Sequence, residues 1–260
     1  MRVALGIAYR GRAYSGWQSQ PGGRTVQDHV DSALASFAGR PVRCISAGRT
    51  DAGVHALNQV VHFDTPVDRA EESWLRGTNR YLPDDIAVQW CRFVPDAFHS
   101  RANAIGRRYT YVLLESPVRP ALETGLVGWT FRRLDGEAMA SAAAVLKGSH
   151  DFSAFRSAEC QAPSPVKTIR AIDIVRRGAY WRFDFDADAW LHHMIRNIVG
   201  CLVAVGSGGR HAAWIGDVLA SRDRALAAAT FAADGLYFVG PYYDHGHGIP
   251  DHTAAMDWLP

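Results

Sequence analysis

The chain has 260 residues and a mass of 28.5 kDa, enough for one large domain or two ordinary ones, with 48% hydrophobic and 21% charged residues. Those proportions exclude a disordered chain and suffice for a core that needs no disulfide or metal staple. A net charge of +2 excludes a histone-like polycation, although 28 basic residues include only two lysines, Lys147 and Lys167, and guanidinium suits phosphate and base stacking better than ammonium.

Residues 2–9 alternate as a strand does, and residues 25–38 start at Thr25 and set Val26, Val30, Leu34 and Phe37 at helical spacing. Strands are predicted at 42–47 and 58–64, a helix at 70–81 and a strand at 86–94, which reads β-α-β-β-α-β. The same order returns after a break at 98–106. It comprises a strand at 107–115, an Ala-rich helix at 135–147, a hairpin of 168–176 with 179–186, an apolar helix at 190–205 and a strand at 235–240. An extra helix at 211–220 and a polar, His-rich tail after 243 are expected to decorate the second half, the tail as a solvated end. The predicted class is α+β: two ferredoxin-like, RRM-like halves, residues 1–103 and 104–260, whose antiparallel sheets flank a central cleft. A half of this kind leaves one sheet face open, and RNA-recognition modules stack bases there.

No run reaches the roughly 18 apolar residues of a membrane span, and the N-terminus alternates instead of forming a signal-peptide core. A cytoplasmic protein without a membrane partner is therefore expected. Cys44, Cys91, Cys160 and Cys201 lie far apart without a CxxC, which points to reduced, buried thiols.

The chemistry concentrates in four places. In AGRTDAGVHA (47–56) Gly48 and Gly53 serve a turn, but turning does not require Arg49, Thr50 and Asp51 together. Asp51 either closes an Asx-turn or presents its carboxylate to a bulky substrate past Ala52 and Gly53. The helix at 190–205 is apolar on almost every face yet carries Arg196, whose charge requires a partner. Asp51 is the preferred partner and would be held ionised by it; Asp184, Asp186 or Asp188 is the rival. His192, four residues before Arg196, would share its helix face. Adjacent His192 and His193 cannot both point at one metal from a helix, so no metal site is expected. Tyr109 and Tyr111 in RRYTY face one side of a strand beside Arg107 and Arg108, either as a base-stacking platform or as packed core. Trp17 and Gln18 lie in the Gly-bounded turn YSGWQSQ.

GRTDAGVHA, YSGWQSQ, RRYTY, HHMIRNIVG and AADGLYFV together resemble the tRNA pseudouridine synthase A family from about residue 2 to residue 243. The resemblance implies isomerisation of uridines 38, 39 and 40 of the tRNA anticodon stem-loop by a cofactor-free homodimer. It implies Asp51 as nucleophile, Arg196 as its ion-pair partner, Tyr109 stacked on the target uracil and Arg49 holding the nucleotide out of the helix. Candidate substrate contacts are Gly48, Arg49, His55, Trp17, Gln18, Arg107, Arg108, Tyr109, His192 and His193. A carboxylate can break the glycosidic bond by attack on ribose C1′, by attack on base C6 or by elimination to a glycal, and all three routes stay open. The alternative function is a non-catalytic RNA-binding module; a glycosidase would need a second acid beside Asp51.

Overall fold

The computed structural model describes residues 1–250, and the end of the His-rich tail, including His252, lies outside them. No helix among them is long and apolar enough to cross a membrane. The described residues divide into two compact units, Met1–Gly106 with Tyr237–Pro250, and Arg107–Leu236.

In the first unit, β1 (Arg2–Tyr9), β3 (His55–Asp64) and β4 (Ile86–Val94) form an antiparallel sheet in the order β4-β1-β3. The short β2 (Ile45–Ser46) adds to the far end of β3, opposite His62 and Val61. Helices α1 (Val26–Ala38) and α2 (Glu71–Asn79) lie on the sheet, with Trp74 packed edge-on between Phe37 and Phe63 at 5.2 Å from each ring. Thr25 caps α1 by accepting the Asp28 N–H, and Gly39 ends it in the left-handed region, as the sequence signals require.

β2 is far shorter than the expected strand at 42–47 because side chains of α1 take its main-chain groups. Asp31 accepts the Cys44 N–H at 2.9 Å and Gln27 donates to the Cys44 carbonyl at 3.0 Å, so no ladder can form there. β10 (Leu236–Tyr242) brings the chain back to this unit, with Tyr237 and Phe238 pairing in parallel with His55 and Ala56 of β3. The expected second half, 104–260, thus keeps its continuous body only to Leu236. The tail also departs from expectation. Tyr243 and Ile249 pack on the buried cluster of Ala4, Ala47, Val60, Trp90, Val94 and Phe98, and the His247 ring meets Phe98 at 5.4 Å. Part of the sheet face expected to stay open for bases is thus packed by the C-terminal segment in this unit.

In the second unit the sheet order is β5-β9-β8-β7, with β6 added in parallel to β5. The strands are β5 (Gly106–Glu115), β6 (Gly128–Thr130), β7 (Gly148–Asp151), β8 (Val166–Arg177) and β9 (Tyr180–Ala187). The last two form the predicted hairpin around Gly178. The helices are α3 (Gly136–Ala144), α4 (Met194–Gly206) and α5 (Trp214–Ser221). The short strands β6 and β7 escape a pattern reading because three or four residues carry too little alternation. α4 starts four residues later than expected, because Trp190 turns in to donate its indole N–H to the Arg107 carbonyl and His193 adopts a left-handed conformation at φ 62°. The four cysteines are free and buried.

Candidate active site

Asp51 sits half-buried in the loop between β2 and β3. The Val54 N–H donates to the Asp51 carbonyl at 3.2 Å, with Gly53 at φ 83° in the turn, so the main chain closes this loop. Thr50, next to Asp51, is buried; its hydroxyl pairs with the Tyr9 phenol at 2.7 Å. Its carbonyl accepts the Trp17 N–H at 3.0 Å. On the other flank, Gln59 donates to the Gly48 carbonyl at 2.6 Å and accepts the Gly48 N–H at 3.4 Å. Gln59 also reaches Tyr9, whose phenol is pushed up in pKa mainly by burial. A carboxylate-bearing loop is therefore anchored on both sides by buried polar groups of β1 and β3, while Ala52 and Arg49 remain exposed.

The turn at 14–18 lies against this loop. A side chain at Gly16 would place its Cβ 2.7 Å from the Thr50 carbonyl oxygen, and the residue has φ 90°, so only glycine fits there. The Gly16 and Trp17 carbonyls accept the Val26 and Gln27 N–H groups, which ties the Asp51 loop through this turn to the start of α1. Trp17 itself is 1% exposed, its ring 5.7 Å from Tyr9, and Gln18 next to it is exposed. His55 is also 1% exposed, accepting the Gly11 N–H through Nδ1 at 3.1 Å and stacking on Tyr237 at 4.6 Å. Trp17 and His55 thus shape the loop from the interior and offer a nucleotide almost no surface, unlike the contacts expected of them.

In the second unit Tyr109 and Tyr111 face the same side of β5, as alternation requires, opposite Phe185 and Phe183 of β9. Their surroundings differ. Tyr111 is fully buried and donates its hydroxyl to the Ala232 carbonyl at 2.9 Å, so it belongs to the core. Tyr109, 9% exposed, has its ring edge-on to Trp190 at 6.2 Å. Arg107 donates to the Asp188 carbonyl at 2.9 Å, and Arg108 lies 3.6 Å from the Asp186 carboxylate.

Arg196 lies in the first turn of α4 and is half-buried; its Nε donates to the Phe231 carbonyl at 2.8 Å. The three acids considered as rivals for its charge are engaged by other groups. Asp184 holds Arg182 and the Thr110 hydroxyl, and Asp186 holds Arg108 and Arg170. Asp188 accepts the Thr168 and Ala189 N–H groups. His192 precedes α4, so its expected place on the helix face of Arg196 is not what forms. Its N–H approaches the Cys160 sulfur at 3.4 Å, and its ring lies 4.0 Å from that of His193. The left-handed conformation of His193 is rare for a residue with a side chain.

Sequence reasoning missed Tyr9, Gln59 and Asn197. Each is a buried polar residue inside an otherwise apolar strand or helix, a pattern visible in GIAY, NQVVHF and MIRNIVG.

A family model described as tRNA pseudouridine synthase matches residues 6–101 and 142–244. The chain is 67% identical over 260 residues, all of both chains, to tRNA pseudouridine synthase A of Methylibium petroleiphilum. The chain belongs to the tRNA pseudouridine synthase family. Two further synthases extend the likeness over both full lengths: tRNA pseudouridine synthase A of Polaromonas naphthalenivorans at 62% identity and that of Paracidovorax citrulli at 60%. The protein is accordingly an isomerase that converts uridine to pseudouridine, and the reading as a silent RNA-binding module falls.

Proposed function

We propose that this synthase isomerises uridines 38, 39 and 40 in the anticodon stem-loop of tRNA, with Asp51 as the nucleophile. The observation that carries the reading is the Asp51 loop itself. Its flanking residues are clamped by Tyr9 and Gln59, while the small Ala52 stands exposed beside the carboxylate-bearing residue. A half-buried carboxylate on a loop whose flanking residues are both held suits attack on a nucleoside better than it suits a structural turn.

In this reading Arg196 is the counter-ion that keeps Asp51 charged, and its fixed Nε supports that role by restricting the guanidinium to one plane. The uracil N1–C1′ bond breaks, the base turns and C5 bonds to C1′; the proton lost from C5 is balanced by the one N1 takes up. Attack on C1′, attack on C6 and glycal formation all require the ionised carboxylate. A base within a stem must first be extruded, at a cost of roughly a few kcal/mol. Tyr109 offsets part of that cost by stacking on the uracil, Arg49 holds the nucleotide out, and Gly48, Gln18, Arg107, Arg108, His192 and His193 complete the RNA contact. The same proposal makes each of the two units a ferredoxin-like half. The strand order β4-β1-β3-β2 of the first unit supports this. It also makes the enzyme a cytoplasmic homodimer that needs no cofactor.

Tritium release from [5-³H]uridine-labelled tRNA, with carbodiimide mapping of the modified positions, tests the reading. Asp51→Ala and Asp51→Asn should abolish release while tRNA affinity stays within about twofold, since neither removes a phosphate contact. Turnover by either variant, or pseudouridine mapped outside the anticodon stem-loop, would reject it.

A further inference from the structure

The segment after α5 crosses α4 where Arg196 stands. At Gly200 an added Cβ would lie 2.3 Å from the Ala229 carbonyl oxygen, so the glycine lets the segment run directly against the helix. The Ala228 N–H points at the Cys201 sulfur, 3.3 Å away. One turn back, Arg196 and Phe231 are joined in both directions. The arginine Nε donates to the Phe231 carbonyl at 2.8 Å, and the Phe231 N–H donates to the Arg196 carbonyl at 3.2 Å.

Thr230, the residue before Phe231, belongs to a closed polar network. Asn197, fully buried, donates through Nδ2 to the Phe155 carbonyl at 2.7 Å. Its Oδ1 accepts the Thr230 hydroxyl at 2.7 Å and Arg224 Nη2 at 3.0 Å. Arg224 Nη2 also donates to the Thr230 oxygen at 3.0 Å, so each of the three side chains fixes the other two. On the far side of Phe231, Tyr111 donates to the Ala232 carbonyl and meets the Phe231 ring edge-on at 5.8 Å. The peptide that accepts from Arg196 is thus pinned immediately before and after Phe231. With Nε engaged, the guanidinium plane follows this peptide and not the free rotation of a long side chain.

We propose that Thr230 and Arg224 are positioning residues for the isomerisation, acting through Asn197 and the Phe231 carbonyl to aim the Arg196 guanidinium. The inference rests on Arg196 serving as counter-ion to Asp51. It adds that the direction of this cation is set by a segment some 30 residues further along the chain, whose own side chains need not touch RNA.

Thr230→Val keeps the shape of the side chain and deletes the hydroxyl. Steady-state kinetics on tRNA should show kcat lower by at least ~10-fold with KM within about twofold, as expected when a charge is misaimed without loss of substrate contacts. The acid limb of the pH–rate profile should move to higher pH, and Thr230→Ser should restore both. Arg224→Met, which opens the network from the other side, should show the same signature. In an Arg196→Lys background, Thr230→Val should cost almost nothing further, because the group it aims is gone. Full activity of Thr230→Val beside a crippled Arg196→Lys would overturn the positioning role alone. Full activity of Arg196→Lys with an unchanged pH profile would overturn the counter-ion reading beneath it. Equal losses in both backgrounds, or a loss that Thr230→Ser does not rescue, would reduce the network to a structural clamp and refute the proposal.

Discussion

The Tyr9 hydroxyl and the Thr50 hydroxyl meet at 2.7 Å in the interior, and this contact ties the end of β1 to the residue preceding Asp51. Both groups are buried, so the bond has no water to replace it. Tyr9→Phe keeps the ring and strands the Thr50 hydroxyl. Urea denaturation should show a loss of about 1–2 kcal/mol. Tritium release should fall by roughly tenfold with little change in KM, since the Asp51 loop loses one anchor. A variant with wild-type turnover would free the loop from this anchor.

Gly16 lies against the same loop at the Thr50 carbonyl. Gly16→Ala introduces a Cβ at 2.7 Å from the Thr50 carbonyl and strains a backbone at φ 90°. A destabilisation of about 1–3 kcal/mol is expected, together with reduced turnover. An alanine variant as stable and active as the parent would show that the turn at 14–18 can shift without moving Asp51.

Arg196→Met removes the charge and keeps much of the length. If the arginine supports the ionised carboxylate, activity should need a higher pH to reach its plateau, and the acid limb should shift upward. Plotting kcat/KM against pH for both proteins decides it. Superimposed profiles would dissociate the pair.

Tyr109 is tested by a graded series. Tyr109→Phe retains a stacking ring, whereas Tyr109→Leu retains only bulk. Base–aromatic stacking is worth about 1–3 kcal/mol, so the leucine variant should be the weaker in kcat/KM by tenfold or more. Equal activity across all three would remove this ring from the site.

His62 links stability to pH. It is buried beside His99, with ring centres 4.8 Å apart, and burial, then the charges of His99 and Arg2, hold its imidazole down to about 4; Asp64 opposes them. Its Nδ1 accepts the Ser100 N–H at 3.2 Å. The unfolded chain takes up this proton near the ordinary value of 6.5, the folded chain only near 4. Stability is therefore whole above pH 6.5 and falls between there and about 4, by roughly 2–3 kcal/mol. His62→Asn keeps an acceptor without titrating, so its denaturation midpoint should vary less across that interval. Parallel pH dependences in the two proteins would sink the assignment.

Much of this was legible before any coordinates. Repeating patterns marked β1, α1, β4 and the β8–β9 hairpin, because strand and helix periodicity are local properties of ten or so residues. Asp51 and Arg196 stood out as charges in small-residue and apolar settings. Trp17 and His55, by contrast, could not be sorted into surface or interior from their motifs. Their burial comes from Tyr9 and Tyr237, residues distant in sequence.

The amino-acid order alone thus determined most of the longer strands and helices and the mixed α and β class of the fold. Only the folded chain decided that Gln59 and Tyr9 brace the loop, that the C-terminal segment packs on part of a sheet face, and that Asn197 and Thr230 hold the peptide that Arg196 donates to. The division has one cause. Periodicity and turn chemistry are written within neighbouring residues, whereas hydrogen bonds between buried polar groups depend on which distant segments arrive together, and no short stretch of sequence records that meeting.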